Sequence, residues 1–274
     1  MIATAHEIQS CSSEDLLHQL GAFEPKNSVV LDFPDYVVRT AWNAAEVEQA
    51  LRLRFGIFFH ELNQCGIGEK IDIDAFDLIA DHLLLIERKS DRVVGTYRFL
   101  CSRFTPNFYS QGEFDLKRIL ALPGEKLELG RACLHPAHRN SIAIQLLWKG
   151  MTAYFRECGA RYMFGCSSVE SHQEANFGMI HQWLMRHHLA PQDQQVTPRA
   201  DLPLWMSLDC VWDENFARRA ERLAPALLKA YLRAGSKVCG QPFWDPVCNT
   251  LDYFTLFDDT ELTENYGRKF GLST

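Results

Sequence analysis

Charged residues within apolar strands are the feature that most limits how this chain can fold. The run Arg92–Cys101 has the composition of a strand and contains Arg98. The run Lys126–Leu134 contains both Glu128 and Arg131. A charge in a buried strand is costly unless it is paired, so we expect these three side chains to meet partners of opposite charge.

Glu128 and Arg131 would lie on opposite faces of a regular strand, because residues three apart face opposite sides. Gly130 lies between them and is a natural position for a β-bulge. Such a bulge would change the face that Arg131 occupies. It would also leave a backbone N–H group able to bind a carbonyl oxygen.

The pattern of apolar residues predicts a mixture of strands and helices. Strands are predicted at 29–31, 36–40, 82–89, 92–101, 126–134, 161–168 and 250–257, and helices at 44–62, 141–158, 172–188 and 213–234, the last interrupted near Pro225. Asn43 is expected to cap the first of these helices. The order predicts an α/β fold with a mixed, partly antiparallel sheet flanked by helices. We expect a lead-in over 1–27, which could be flexible, and a single domain over 28–274 with a C-terminal elaboration.

Charge and composition narrow the class of protein further. The net charge of −7 argues against nucleic acid as the main partner. The N-terminus lacks a secretory signal and no apolar run spans a bilayer, which favours a cytoplasmic location. The nine cysteines are scattered and form no CxxC pair, so neither a disulfide framework nor a cysteine zinc site is expected. No metal ligands are predicted elsewhere in the chain.

Several apparent motifs fail a geometric test. His82 and Glu87 have the spacing of a glycerolipid acyltransferase pair, but both lie in one apolar strand, where residues five apart face opposite sides. The segment 165–169 lacks the second glycine of a nucleophile elbow. His181 and His188 could share a helix face, but no carboxylate is in register for a metal.

Three segments combine into a known pattern: LRLRFGIFFHEL with IDIDAFDLIADHLLLIE, then GTYRFL, then ELGRACLHPAHRN. The order of these segments and their residue patterns resemble those of the acyltransferases of the GNAT superfamily that use acyl carrier protein. Two branches share this pattern, the acyl-homoserine-lactone synthases and the ornithine N-acyltransferases of ornithine-lipid synthesis, often labelled haemolysin-like. The matching positions here are Arg54 with Phe58 in the predicted helix, Phe76-Asp77 in the acidic segment, Arg98 in the next hairpin, and Glu128 with Arg131 in the following strand.

The ornithine branch matches over about 36–270. DAFDLIADHLLL, LLWKGMTAYF and FGCSS resemble it, as does the C-terminal run LLKAYLRAGSKVCGQPFWDPVCNTLDYFTLF, which the lactone synthases lack. The resemblance implies that a long-chain (3-hydroxy)acyl group passes from acyl carrier protein to the α-amine of ornithine, giving lyso-ornithine lipid. Acyl-phosphopantetheine on the carrier, or acyl-coenzyme A, would be a co-substrate, with no permanently bound cofactor.

One departure from acetyl-coenzyme A enzymes of the superfamily concerns the donor. Those enzymes carry a glycine-bearing loop whose backbone N–H groups approach a diphosphate. The matching stretch here is 139–144, and isoleucine occupies both glycine positions. Phosphopantetheine has a single phosphate, so the departure fits a carrier-protein donor.

The resemblance also implies roles for individual residues. Glu128 would be the general base, with Arg98 and Arg131 orienting it or holding the substrate carboxylate. The residues expected to contact substrate are Arg54, Phe58, Asp72, Asp74, Asp77, Ser167 and Ser168. The three aspartates would attract the ammonium group of the acceptor.

A carrier-protein surface is predicted from charge. Carrier proteins of this kind are acidic, and so is this chain, so docking needs a local basic patch. The candidates are Lys117, Arg118, Arg139, Lys149 and Arg156. Peripheral contact with the inner membrane is a further expectation.

Two alternatives remain open. The acceptor could be another amine: glutamine, glycine, lysine, tyrosine or homoserine lactone. A membrane-active, haemolysin-like protein is the alternative of a different class, although the sequence shows neither a signal nor a strong amphipathic membrane helix.

Overall fold

The computed structural model describes residues 12–61, 71–139, 141–210 and 215–261. Its strands, in chain order, are β1 Val30–Asp32, β2 Tyr36–Thr40, β3 Asp81–Glu87, β4 Arg92–Cys101, β5 Phe114–Asp115, β6 Glu125–Leu134, β7 Ala160–Glu170, β8 Thr197–Pro198, β9 Lys237–Val238, β10 Phe243–Asp245 and β11 Thr250–Asp258. Its α-helices are α1 Ser13–Leu20, α2 Ala44–Phe55, α3 Lys117–Ala121, α4 Ser141–Glu157, α5 Phe177–His187, α6 Phe216–Leu223 and α7 Ala226–Ala234. The predicted α/β class with a largely antiparallel sheet is confirmed.

The chain divides into two compact units. The described residues of the first fall within 1–108 and 127–160, and those of the second within 109–126 and 161–267. The expectation of a single domain over 28–274 stays a prediction. No helix in the described part of the chain is long and apolar enough to cross a membrane; peripheral contact with a membrane also stays a prediction.

In the first unit, five antiparallel strands lie side by side in the order β1, β2, β3, β4, β6. The predicted hairpin β3–β4 is confirmed, and Asp91 in its turn adopts a positive φ of 53°. The first helix begins at the predicted cap, where Asn43 accepts a hydrogen bond from the N–H of Glu46. It is shorter than predicted, because the α-helix ends at Phe55 and continues as a π-helical turn, Gly56–Glu61.

Helices α2 and α4 contact different faces of this sheet. Leu51 and neighbouring residues of α2 form a core with Leu84 and Ile86 of β3. Helix α4 meets Leu83 on the other face, because adjacent strand residues alternate sides. The closest approach is at Gly150, where an added Cβ would overlap Val38 and lie 3.0 Å from Leu83.

In the second unit, β11 pairs antiparallel with β7, β9 and β10. Helices α5, α6 and α7 contribute buried residues to one core cluster with this sheet, among them Ile180, Phe216 and Leu228. The predicted break near Pro225 is confirmed, since that proline separates α6 from α7. The sheet and its helices place the residues discussed below.

Candidate active site

Arg54 of α2 anchors a buried group of charges in the first unit. Its side chain is 0% exposed. Nε donates to Asp72 Oδ2 at 2.7 Å, and the two terminal nitrogens donate to the carboxylate of Asp77 at 2.7 and 3.2 Å. Planar guanidinium groups suit such bidentate pairing. The helix residue is therefore locked to the acidic segment that precedes β3.

Arg98 of β4 extends the group. It donates from Nη1 to Asp74 Oδ1 at 2.6 Å and to Asp77 Oδ1 at 3.2 Å. The aspartates are themselves held by the short 3₁₀ turn Ala75–Leu78, which Asp74 and Asp77 close through reciprocal side-chain bonds to backbone N–H groups. The acidic segment is thus a rigid carboxylate scaffold.

The predicted β-bulge is present in β6. Thr96 and Arg98 pair with Cys133 and Gly130, so the β6 side carries one extra residue. The left-handed residue is Arg131, with φ 51°, instead of the glycine beside it. This conformation is uncommon outside glycine. It directs Arg131 to the charged group, where Nη2 donates to Asp74 Oδ2 at 3.2 Å.

The group balances its own charge, since three arginines face three aspartates. Burial alone would raise the pKa of Asp72 and Asp74, but the adjacent guanidinium groups hold the pKa of both below its ordinary value. Burial would lower the pKa of Arg98, and the charges of Asp74 and Asp77 reverse that effect. Asp72, Asp74 and Arg98 are therefore ionised at neutral pH.

Glu128 lies on the same face of the sheet. It pairs with Leu100 of β4, two residues from the pair Arg98–Gly130, and alternate residues share a face. Only 3% of its surface is exposed. The strand pattern thus delivers the predicted carboxylate and the predicted arginines to one side of the first unit.

The remaining predicted site residues are more dispersed. Phe58 is half-buried in the π-helical turn after α2. Ser167 and Ser168 belong to β7 in the second unit. Ser167 is buried, with its Oγ 3.2 Å from Thr255 Oγ1, and Ser168 is exposed. Their contact with substrate stays a prediction.

The five basic residues predicted for docking are all exposed. Arg139, Lys149 and Arg156 lie before and along α4 in the first unit, and Lys117 and Arg118 lie in α3 of the second. Lys149 lies over the ring of Phe33, with its Nζ 5.6 Å from the centroid.

One residue that sequence reasoning set aside belongs to the charged group. His82 is fully buried, pairs across the strands with Arg98, and has Nε2 3.2 Å from the carbonyl oxygen of Asp77. Burial lowers its pKa to about 4. The spacing of His82 and Glu87 carries no information on the contact between His82 and Asp77. The only signal for that contact is the position of the histidine opposite a charged strand residue.

Similarity to a known protein family identifies the class of enzyme to which this chain belongs. Residues 53–149, which include Arg54, the acidic segment, Glu128 and the bulge, match the family described as an acetyltransferase (GNAT) domain. The protein is an N-acyltransferase of the GNAT type.

Relatives over nearly the whole length specify the family. The chain is 36% identical over 244 residues to the L-ornithine N(alpha)-acyltransferase of Rhodobacter capsulatus, covering 84% of this chain and 93% of that protein. It is 30% identical to the enzyme of the same name from Brucella abortus, covering 85% and 88%. The chain belongs to the L-ornithine N(alpha)-acyltransferase family. Among solved structures, the AHL synthase LasI aligns with a TM-score of 0.47 at 10% identity, covering 85% of this chain and 91% of that chain.

Proposed function

We propose that this enzyme transfers a long-chain 3-hydroxyacyl group from acyl carrier protein to the α-amine of ornithine, giving lyso-ornithine lipid. The observation that carries this proposal is the 36% identity to an L-ornithine N(alpha)-acyltransferase across 93% of that protein. The charged group around Glu128 supplies groups that such a reaction needs.

The reaction forms a C–N bond and breaks a C–S bond. The ornithine α-amine attacks the thioester carbonyl, and Glu128 takes the amine proton, directly or through a water. The tetrahedral oxyanion accepts hydrogen bonds from backbone N–H groups beside the bulge at Arg131. The bond to sulfur then breaks, and Glu128 passes the proton to the leaving pantetheine thiolate.

The exposure of the charged side chains divides their roles. Arg98 and Asp77 are buried to 2% or less and form the fixed part of the group, together with Arg54. Asp74 and Arg131 retain 27% and 21% exposed side-chain surface. These two therefore meet the acceptor, Asp74 facing its ammonium group and Arg131 its carboxylate. The predicted contacts of Asp72 and Asp77 become indirect, because their side chains are only 10% and 0% exposed.

The carrier-protein donor is supported by the surface at the start of α4. Ile142 and Ile144 are 62% and 46% exposed, and the basic residues Arg139 and Lys149 lie on the same segment. Exposed isoleucines beside positive charge suit an acidic partner with an apolar contact surface. A bare coenzyme would gain nothing from the apolar part of this surface.

The test supplies ornithine together with either 3-hydroxyacyl carrier protein or the same acyl group on coenzyme A. Mass spectrometry with fragmentation identifies the product and the acylated nitrogen. We expect N-α-acylornithine, formed faster from the carrier protein. Acylation of the side-chain nitrogen, or faster transfer from coenzyme A, would refute the corresponding part of the proposal.

A further inference from the structure

A second cluster of carboxylates lies in the second unit, where Asp252 of β11 pairs across the strands with Ser168 of β7. Glu113 precedes β5, Asp245 ends β10 and Asp252 lies in β11. All three are buried, with exposures of 4 to 6%. One carboxylate oxygen from each lies within 4.8 Å of the others. Like charges this close in a buried site repel one another strongly unless a cation or protons lie among them.

A neutral oxygen faces the same place. Thr250 pairs directly with Asp245 across the β10–β11 hairpin and lies two residues before Asp252. Opposed residues and alternate residues share a face of a sheet, so its side chain is on the side of both aspartates. Thr250 is only 3% exposed, and its Oγ1 has no hydrogen-bond partner within the described residues. A buried hydroxyl without a partner is unfavourable, and a bound cation would satisfy it.

Two of the carboxylates are held in orientation by other groups. Asp245 Oδ1 accepts from the backbone N–H groups of Val247 and Cys248 at 2.7 and 3.1 Å. Glu113 Oε2 accepts from the Cys166 thiol at 3.0 Å. Such outer contacts are what orients ligands around a metal ion.

We propose that Glu113, Asp245, Asp252 and Thr250 form a binding site for a hard divalent cation such as Ca²⁺, Mg²⁺ or Mn²⁺. Carboxylate and hydroxyl oxygens are the ligands these ions prefer. Three oxygens within 4.8 Å of one another are each at most about 2.8 Å from a common centre, which is close to the Ca²⁺–oxygen distance of about 2.3–2.6 Å. The site replaces the sequence-based expectation of no metal.

The ion would join two segments that are distant in the chain. The loop carrying Glu113 is bound to the hairpin formed by β10 and β11, more than 100 residues later. The effect is structural, so it is testable without any activity measurement and independently of the proposed function.

The experiment uses the full chain after treatment with a chelator and removal of that chelator. Thermal unfolding is followed with Ca²⁺, Mg²⁺ or Mn²⁺ added singly, and with L-ornithine alone as a separate arm. We expect at least one ion to raise the Tm by several degrees, since binding to the folded state stabilises it. The three arms identify the ion.

Variants connect the shift to the site. Asp252→Asn and Thr250→Val should weaken ion binding about tenfold or more. Asp193→Asn, at an exposed carboxylate of the same unit, is the matched control and should keep the full ion response.

A direct binding measurement covers the case in which a variant folds poorly. Tb³⁺ takes the oxygen ligands that Ca²⁺ takes, and Trp244 is adjacent to Asp245 for excitation. Sensitised emission that is lost in Thr250→Val supports the site. The proposal is overturned if no ion shifts the Tm and Tb³⁺ gives no emission, if Asp252→Asn leaves the ion response unchanged, or if ornithine alone gives the Asp252-dependent shift.

Discussion

At the scale of single residues, the site is governed by what buried charges require. Arg54 and Arg98 are almost completely buried, and each is paired with more than one carboxylate. Buried ion pairs add little net stability, but removing one partner leaves an uncompensated charge. The value of the group therefore lies in fixing the position of the residues around Glu128, since rigid supporting contacts are what precise chemistry needs.

Glu128→Gln tests the proposed base directly. The two side chains are nearly isosteric, so folding should survive while the proton acceptor is lost. We expect turnover to fall by about 10²–10⁴-fold, the usual contribution of a general base, with thermal unfolding little changed. Glu125→Gln, at the start of the same strand, is the matched control and should keep near-wild-type turnover. Equal activity of both variants would show that Glu128 is structural.

His82 predicts a pH dependence of stability. Burial lowers its folded-state pKa to about 4, against about 6.5 in the unfolded chain. Between these values the unfolded state binds more protons, so stability falls as pH decreases from about 6.5 toward 4. The contribution lost between pH 7 and pH 5 is about 2 kcal/mol. Denaturant unfolding at both pH values should show a smaller difference for His82→Gln; an unchanged difference would contradict this account.

The residues of the site were predictable to different degrees. Arg98, Glu128 and Arg131 were predictable because a charge within an apolar strand demands a partner. His82 was not, because a buried histidine is also a common core residue and its contact with Asp77 depends on the turn Ala75–Leu78. The carboxylates Glu113 and Asp252 were not predictable either, since 139 residues separate them and no spacing rule joins them.

At the scale of elements, local pattern predicted the strands well and the ends of helices less well. The hairpin β3–β4 and the break at Pro225 follow from turn chemistry. The change from α-helix to π-helix after Phe55 was not predicted, because a segment of six residues is too short for its apolar pattern to distinguish the two forms. The bulge was predicted at Gly130, but the positive φ falls on Arg131, where its contact with Asp74 offsets the strain.

Gly150 and Gly56 form a matched pair for testing how α4 packs on the sheet. Alanine at Gly150 would overlap Val38, so we expect Gly150→Ala to lower the free energy of unfolding by about 1–3 kcal/mol despite the better helix propensity of alanine. At Gly56 nothing lies within 4 Å of an added Cβ, and its φ is −57°. Gly56→Ala should therefore stabilise by about 0.5–1 kcal/mol. Denaturant unfolding measures both, and a Gly150→Ala variant that is as stable as the wild type or more stable would contradict the packing described.

At the scale of the whole molecule, a net charge of −7 makes the docking of an acidic carrier protein depend on local positive charge. Reversing Arg139 and Lys149 to glutamate should reduce transfer from acyl carrier protein, and rising salt should reduce wild-type transfer similarly. Transfer from a small acyl-pantetheine mimic should be nearly unchanged. Reversal of Lys89 and Arg92, which are exposed on the β3–β4 hairpin, makes the same change in net charge and should leave both reactions intact. Equal losses with both donors would place docking elsewhere.

The acceptor is the central claim, and a competition experiment tests it most directly. The purified enzyme is given 3-hydroxyacyl carrier protein and an equimolar mixture of L-ornithine, L-lysine, L-glutamine, glycine and L-tyrosine, and the N-acyl products are quantified by mass spectrometry. We expect N-α-acylornithine to dominate the products of the wild type and to be lost in Glu128→Gln. A product mixture in which another acyl amino acid dominates, or in which ornithine is not acylated at all, would contradict it.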